Sequence, residues 1–189
     1  MAEANQYEIL HLAMHGFVDN DEPMYSQLVF STNNEATSDD ILQGFELYNM
    51  SLRTRMAVLS ACNTGNGKLT QGEGIMSLAR AFTYAGAESV VMSHWRVDDK
   101  SSSELMKYFY EALAQGHSKD EALRNAKLQF LESAHLIRQH PYFWGNFVLM
   151  GDPQPLTTAI RWHWYALLAF GLLMLAVILR QSLKKSRQQ

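Results

Sequence analysis

Cysteine is the scarcest reactive residue of this sequence, since Cys62 is the only one among 189 residues. A single thiol excludes an intramolecular disulfide and the paired CxxC spacings of a zinc ribbon. Basic residues are not in excess either, because the formal net charge is −3. No broad basic face can be assembled from such a composition. The sequence therefore argues against a disulfide-stapled domain, a zinc ribbon and a nucleic-acid-binding protein.

A targeting pattern is also absent from the first residues, MAEANQYEIL, which carry Glu3 and Glu8 and no basic segment followed by an apolar one. We therefore do not predict a signal peptide. The sequence holds no repeat of solenoid period and no low-complexity tract. With 47% hydrophobic and 19% charged residues, it is expected to form one globular domain with its own core.

One long apolar run lies near the C-terminus, from Trp162 to Leu179, and has 18 residues without Asp, Glu, Lys or Arg. As a helix it would be roughly 27 Å long, close to the roughly 30 Å of a bilayer core. Aromatic residues cluster at its start, as at membrane interfaces. Basic residues follow its end at Arg180, Lys184, Lys185 and Arg187. We expect a single transmembrane helix over 162–179; a buried core helix is the alternative.

Strand-like and helix-like segments alternate through residues 1–155. Strands are predicted from Tyr7 to Ala13, Gln27 to Phe30, Met56 to Ala61, Ser89 to Ser93 and Trp144 to Met150, with the first two side by side. Helices are predicted from Asp39 to Tyr48, Gly74 to Ala85, Ser102 to Ala114 and Lys119 to Ser133. This alternation predicts an α/β sandwich around a mostly parallel sheet. The remaining segments are a linker at 156–161, the membrane helix at 162–179 and a basic tail at 180–189.

Three of the predicted strands end in residues that can do chemistry. The strand that starts at Tyr7 leads to His15 and Gly16, the strand that starts at Met56 leads to Cys62, and the strand that starts at Ser89 leads to His94 and Trp95. Ligands of open α/β sheets bind at the carboxyl ends of the strands. An imidazole near Cys62 would lower the pKa of its thiol and accept its proton, and His15 is the natural candidate. The spacing alone leaves a catalytic dyad and a buried structural cysteine both open.

Four segments resemble the CHAT domain, a caspase-like cysteine peptidase domain that often accompanies tetratricopeptide repeats. They are HLAMHG (11–16), AVLSACNTG (57–65), GEGIMSLARAFTYAGAESVVMSHWRVDD (72–99) and HPYFWGNFVLMGDP (140–153). The resemblance implies a caspase-like three-layer sandwich with a catalytic dyad of His15 and Cys62. It also implies an oxyanion hole made by the backbone N–H groups of Gly16 and Cys62. The reaction would need no metal or organic cofactor, and the substrate would be a protein or peptide.

The resemblance also predicts that the domain at 1–155 is incomplete at its N-terminal end. A CHAT domain is similar to a larger caspase-like unit, with strands and a helix before the strand that carries the histidine. That strand begins here within the first ten residues. A missing N-terminal half, or a tetratricopeptide-repeat region, is therefore an expected partner of this chain.

The segment after the third strand suggests a specificity pocket. Trp95, Asp98 and Asp99 are candidates for an S1 site, because related peptidases that cleave after arginine or lysine carry an acidic residue there. The alternative is that the two aspartates begin the next helix, where negative charge is favourable. A zinc site made of His11, His15, His94 and Cys62 is disfavoured, because His11 and His15, four residues apart on a strand, lie far from each other.

The expected function is a membrane-anchored cysteine endopeptidase, with cleavage after a basic residue as its specificity. An inactive caspase-like scaffold or interaction module is the main alternative, and acyl transfer by the same dyad is another. The basic tail predicts a cytoplasmic C-terminus. The domain would then lie on the periplasmic side of a bacterial inner membrane. A tail-anchored protein with a cytosolic domain is the alternative.

Overall fold

The computed structural model describes residues 4–17, 19, 21–30, 40–60, 73–95 and 98–156. Contacts divide the chain into two units, Met1–Leu156 and Thr157–Gln189, and every described residue lies in the first. Cys62 and the predicted membrane helix at 162–179 thus lie outside the described residues. No helix within the described ranges has the length and apolar character that crossing a bilayer requires.

Two β-sheets organise the described part of the chain. Their strands are β1 (Ile9–Leu12), β2 (His15–Phe17), β3 (Gln27–Val29), β4 (Ile41–Gln43), β5 (Met56–Leu59), β6 (Ser89–Ser93) and β7 (Phe147–Gly151). The larger sheet has the order β1-β5-β6-β7, in which β1, β5 and β6 are parallel and β7 is antiparallel to β6. The smaller sheet, β2-β3-β4, is antiparallel. The predicted α/β class with a mostly parallel sheet is confirmed.

Helices and apolar clusters cover both faces of the larger sheet. The helices are α1 (Gly44–Leu47), α2 (Glu73–Tyr84), α3 (Asp99–Ala114) and α4 (Lys119–Ser133). Alternate residues of β5 belong to different clusters, as successive side chains of a strand must. Leu59 shares a cluster with Phe82 of α2, whereas Val58 shares one with Phe109 of α3 and Phe130 of α4. Because β5 is buried along its whole length, it reads as a continuous apolar run.

The three long helices agree with their predicted positions, because local signals mark their ends. α2 ends before Gly86, whose φ of 113° is a conformation that glycine tolerates. α3 begins three residues earlier than predicted, because the side chain of Asp98 accepts a hydrogen bond from the backbone N–H of Ser101 at 3.0 Å. α4 has the predicted bounds, and Ser118 starts it with a capping box.

The prediction of a helix from Asp39 to Tyr48 is wrong in its first half. Ile41 and Leu42 form β4 and pair with Val29 and Leu28 of β3, so an inter-strand ladder replaces the first helical turn. Within residues 41–48, only the four residues of α1 are α-helical. Gly44 opens this turn close to the carbonyl oxygen of Met24, where an added Cβ would lie 2.9 Å from that oxygen. A long-range pairing has therefore overridden the helical spacing of the apolar residues.

Two further expectations about strands need correction. The segment Gln27 to Phe30 does form a strand, but it pairs with β2 and β4 rather than with the first strand. The last strand begins at Phe147 instead of Trp144. The preceding residues form a 3-10 turn at Pro141–Phe143, after which the N–H of Gly145 donates to the carbonyl of Pro141 at 2.7 Å.

Candidate active site

The candidate site lies at the edge of the larger sheet where β1, β5 and β6 end. Leu12 is level with Leu59, and Met92 is also level with Leu59, so the three strands finish close together. The antiparallel strand β7 starts at the same edge, since Phe147 pairs with Ser93. The chain leaves this edge toward His15 from β1, toward Cys62 from β5 and toward His94 from β6.

His15 is not the last residue of the first strand, as the sequence suggested. It is the first residue of β2 in the smaller sheet, where it pairs with Val29, and its side chain is exposed. The next residue, Gly16, is buried and pairs with Leu28. The chain therefore turns from one sheet into the other just before the histidine. The His15–Cys62 dyad and the oxyanion hole both involve Cys62, so they stay predictions.

Trp95 lies where β6 ends and is held in place by its neighbours. Its indole N–H donates to the carbonyl of Tyr142 at 2.9 Å, and its carbonyl accepts a hydrogen bond from the Ser93 hydroxyl at 2.9 Å. A Cβ added at Gly145 would lie 3.6 Å from its ring, so the ring lies against that glycine. With 37% of its surface exposed, this ring offers a flat apolar wall beside the sheet edge.

Asp98 is the N-cap of α3 and Asp99 is its first residue, as the alternative interpretation of these two aspartates expected. Burial alone would raise the pKa of Asp98, but the hydrogen bonds from Ser101 and the charge of Arg138 hold that pKa below its ordinary value. Arg138 also bonds Glu104, with 2.7 Å between Nη2 and Oε2. Both aspartates are exposed, but the carboxylate of Asp98 is engaged with Ser101, whereas Asp99 lies in the first turn of the helix.

Asn146 is a residue of this edge that sequence reasoning missed. Its carbonyl accepts a hydrogen bond from the N–H of His94 at 2.9 Å, which joins the two strand ends. The residue is 1% exposed, and neither its Oδ1 nor its Nδ2 has a hydrogen-bond partner among the residues that the structure describes. A buried amide without a partner is rare in proteins. No pattern in the sequence marks this position.

A second group that the sequence did not reveal surrounds His11 on β1. Its Nε2 lies 3.1 Å from the Ser60 hydroxyl, and its Nδ1 lies 2.9 Å from the Tyr110 hydroxyl. Burial lowers the pKa of His11 and raises the pKa of Tyr110 to about 12. The alternation of β1 could have suggested this placement, because Ile9 and His11 share one face of the strand.

An apolar groove of about 460 Å³ lies elsewhere, between α4 and β7. Leu123, Leu128 and Trp144 line it together with one side of β7, and Lys127 donates from its ammonium to the carbonyl of Phe147 at 2.8 Å. Neither His15 nor His94 contributes to this groove. It therefore does not belong to the candidate site. Within the described ranges, no group of three or more His, Cys, Asp or Glu side chains is arranged to hold an ion.

The larger sheet is mostly parallel, and the strand before the His-Gly segment lies next to the strand before Cys62. This arrangement fits the class that the resemblance implied, the caspase-like α/β domain. The chain belongs to the CHAT domain family, which matches residues 1–152. Among curated proteins it is similar to tetratricopeptide repeat protein 28 of Mus musculus and of Homo sapiens. Each is 30% identical over 118 residues, which is 62% of this chain.

This similarity covers only a small part of those relatives, because the chain spans about 5% of their length. Their names refer to tetratricopeptide repeats, and their activity does not transfer to this chain by similarity alone. Both are mammalian proteins, so they give no support to the expected bacterial origin.

Proposed function

We propose that this chain is a cysteine endopeptidase in which Cys62 is the nucleophile and His15 its proton acceptor. The observation that supports this most directly is the parallel pairing of β1 with β5, with Leu12 opposite Leu59. The His-Gly segment and the Ala-Cys-Asn-Thr-Gly segment follow these two neighbouring strands. Both members of the dyad thus belong to segments that leave the same edge of the sheet.

The chemistry assigns one role to each group. The Cys62 thiolate attacks the carbonyl carbon of the scissile peptide bond, and a carbon–sulfur bond forms. The protonated His15 gives its proton to the leaving amine as the carbon–nitrogen bond breaks. Water then gives a proton to His15 as its oxygen bonds the thioester carbon; the carbon–sulfur bond breaks, the acid leaves, and the Cys62 thiolate and the protonated His15 are restored. The N–H groups of Gly16 and Cys62 are the oxyanion donors that family membership implies for this chain.

A thiol titration tests the dyad without knowledge of the substrate. Cys62 is the only cysteine, so the rate of alkylation by iodoacetamide reports on it alone in the full chain. We expect a depressed thiol pKa in the wild type that rises toward about 8.5 in His15→Ala. A covalent peptidase probe should label the wild type and not Cys62→Ala. An ordinary thiol pKa in both proteins, with no labelling, would instead support the non-catalytic interaction module.

For specificity, we propose a pocket in which Trp95 forms one wall and Asp99 pairs with a basic P1 side chain. Asp99 is preferred over Asp98 because the carboxylate of Asp98 caps α3. Peptide libraries should show arginine or lysine at P1, and Asp99→Asn should weaken that preference. Asp98→Asn serves as the matched control and should reduce stability more than specificity. A flat P1 profile in the wild type would refute the pocket.

Membrane attachment through residues 162–179 is a further proposal, and it rests on the apolar run of the sequence. Retention of the full chain in membranes after alkaline carbonate extraction would support it, and release of the chain would contradict it. Protease protection then distinguishes a periplasmic domain from a cytosolic one. A tetratricopeptide-repeat region is the proposed protein partner, because the relatives that match this chain carry that name.

A further inference from the structure

His11 is the centre of a hydrogen-bonded row that joins three elements of the domain. On one side its Nδ1 lies 2.9 Å from the hydroxyl of Tyr110 on α3. On the other side its Nε2 lies 3.1 Å from the hydroxyl of Ser60, the residue after β5. The rings of His11 and Tyr110 also stack, with centroids 5.6 Å apart and planes inclined by 29°. Both ring nitrogens of His11 are therefore engaged.

Two hydrogen bonds attach Ser60, at the end of β5, to β1. The backbone N–H of Ser60 donates to the carbonyl of Leu12 at 3.2 Å, which extends the pairing of β5 with β1. The side chain of the same residue is held by His11, one position earlier on β1. Backbone and side chain of Ser60 are thus both tied to the neighbouring strand.

The distance along the chain from this anchor to the nucleophile is short. Cys62 follows Ser60 by two residues, which span at most about 7 Å even when fully extended. The position of Ser60 therefore limits where residue 62 can lie. A thiolate that must reach a carbonyl carbon tolerates errors in position of well under about 1 Å.

The protonation states in this row agree with a fixed, uncharged link. A neutral imidazole donates from one nitrogen and accepts at the other, so it can connect two hydroxyl groups in sequence. Burial lowers the pKa of His11, and the phenol of Tyr110, with a pKa of about 12, stays protonated. His11 therefore links Tyr110 to Ser60 as a neutral ring at pH 7.

We propose that His11 is a positioning residue for the nucleophile, which acts through Ser60 and is itself oriented by Tyr110. This inference rests on the proposed function of Cys62. It assigns different tasks to the two histidines of the HLAMHG segment. His15 exchanges a proton with the reacting groups, whereas His11 holds the strand end from which the nucleophile follows.

Four variants of the full chain test this assignment. His11→Leu removes both hydrogen bonds, His11→Gln keeps one donor and one acceptor, Tyr110→Phe removes one hydroxyl and keeps the ring, and Ser60→Ala removes the other hydroxyl. The first readout is inactivation by an acyloxymethyl ketone peptide with arginine at P1, measured as the maximal rate and the half-saturating concentration. The second is hydrogen exchange of the amides of residues 59 and 60, which needs no activity.

We expect His11→Leu to lower the maximal inactivation rate about 10-fold or more, and Tyr110→Phe and Ser60→Ala to lower it about 3- to 10-fold each, as the loss of single hydrogen bonds implies. Half-saturation should change less than about 2-fold, since substrate contacts are retained. His11→Gln should recover most of the rate. Amide exchange at residues 59 and 60 should become about 10-fold faster in His11→Leu and stay near the wild type in His11→Gln.

Two results would overturn the inference while leaving the proposed function intact. In the first, the probe labels the wild type but not Cys62→Ala, and every His11, Tyr110 and Ser60 variant reacts like the wild type. In the second, His11→Gln is as slow as His11→Leu, which would make the imidazole itself a reacting group. If the probe labels no protein, the proposed function fails. Unchanged amide exchange in His11→Leu would then refute the positioning role independently.

Discussion

Lys119 and Asp152 join the start of α4 to the end of the last strand, and removal of either charge should have unequal effects. The Lys119 side chain is fully buried, whereas 36% of the Asp152 side chain is exposed. The ammonium lies 3.1 Å from the carbonyl oxygen of Asp152 and 3.4 Å from its carboxylate. The ammonium therefore depends on this partner, while the carboxylate keeps contact with water.

Asp152→Asn removes the negative charge beside the buried ammonium and leaves two neutral acceptors at residue 152, its backbone carbonyl and its side-chain amide oxygen. Removal of one partner from a buried ion pair costs about 3–5 kcal/mol, and the retained carbonyl should reduce this to about 2–3 kcal/mol. Lys119→Met keeps the length and the apolar stem of the side chain. It leaves a carboxylate that water still solvates, so we expect a loss of about 1 kcal/mol.

Urea unfolding of the full chain, followed by circular dichroism, gives both free energies of unfolding. Lys107→Met is the matched control, because the ammonium of Lys107 is exposed and lies 3.9 Å from Glu111. Such a surface pair contributes at most about 0.5 kcal/mol. If Lys119→Met destabilises the domain as much as Asp152→Asn, the reasoning from unequal burial is wrong.

Three other predictions follow from single residues. Gly86→Ala should lower the free energy of unfolding by about 2 kcal/mol or more, because φ is positive there and a Cβ would collide with the carbonyl oxygen of Leu52. Gly116 also has a positive φ but faces open space, so Gly116→Ala should cost about 1 kcal/mol. Equal losses of the two variants in urea unfolding would contradict this. In an absorbance titration, one tyrosine should ionise near pH 12, and this step should vanish in Tyr110→Phe. Because the pKa of Tyr110 is raised in the folded state, stability should fall as pH rises from about 10 to about 12. The pKa of His11 is lowered from 6.5, so its contribution to stability is present above that pH and is lost on acidification. His11→Gln should lose less stability than the wild type between pH 7.5 and pH 5, and parallel losses would refute this link.

Local signals and tertiary environment agreed in the parts of the fold that could be predicted. α4 begins with a capping box at Ser118, and α2 ends two residues before Gly86, so both bounds can be read from neighbouring residues. β5 and β6 are buried along their whole length, which makes them continuous apolar runs. The segment from Asp39 to Tyr48 shows the limit, because its apolar spacing fits a helix while its first residues pair with β3.

The amino-acid sequence alone determined the α/β class, the places where strands end in reactive residues, and the motifs that resemble the CHAT domain. These properties depend on residue type and short spacing. The tertiary structure alone decided that His15 begins a second sheet, that Lys119 is buried and that His11 connects Ser60 with Tyr110. The partners of His11 are 49 and 99 residues away along the chain. Such contacts arise because β1 pairs with β5 and His11 meets Tyr110 of α3, and no local pattern encodes which distant hydroxyl groups will meet an imidazole.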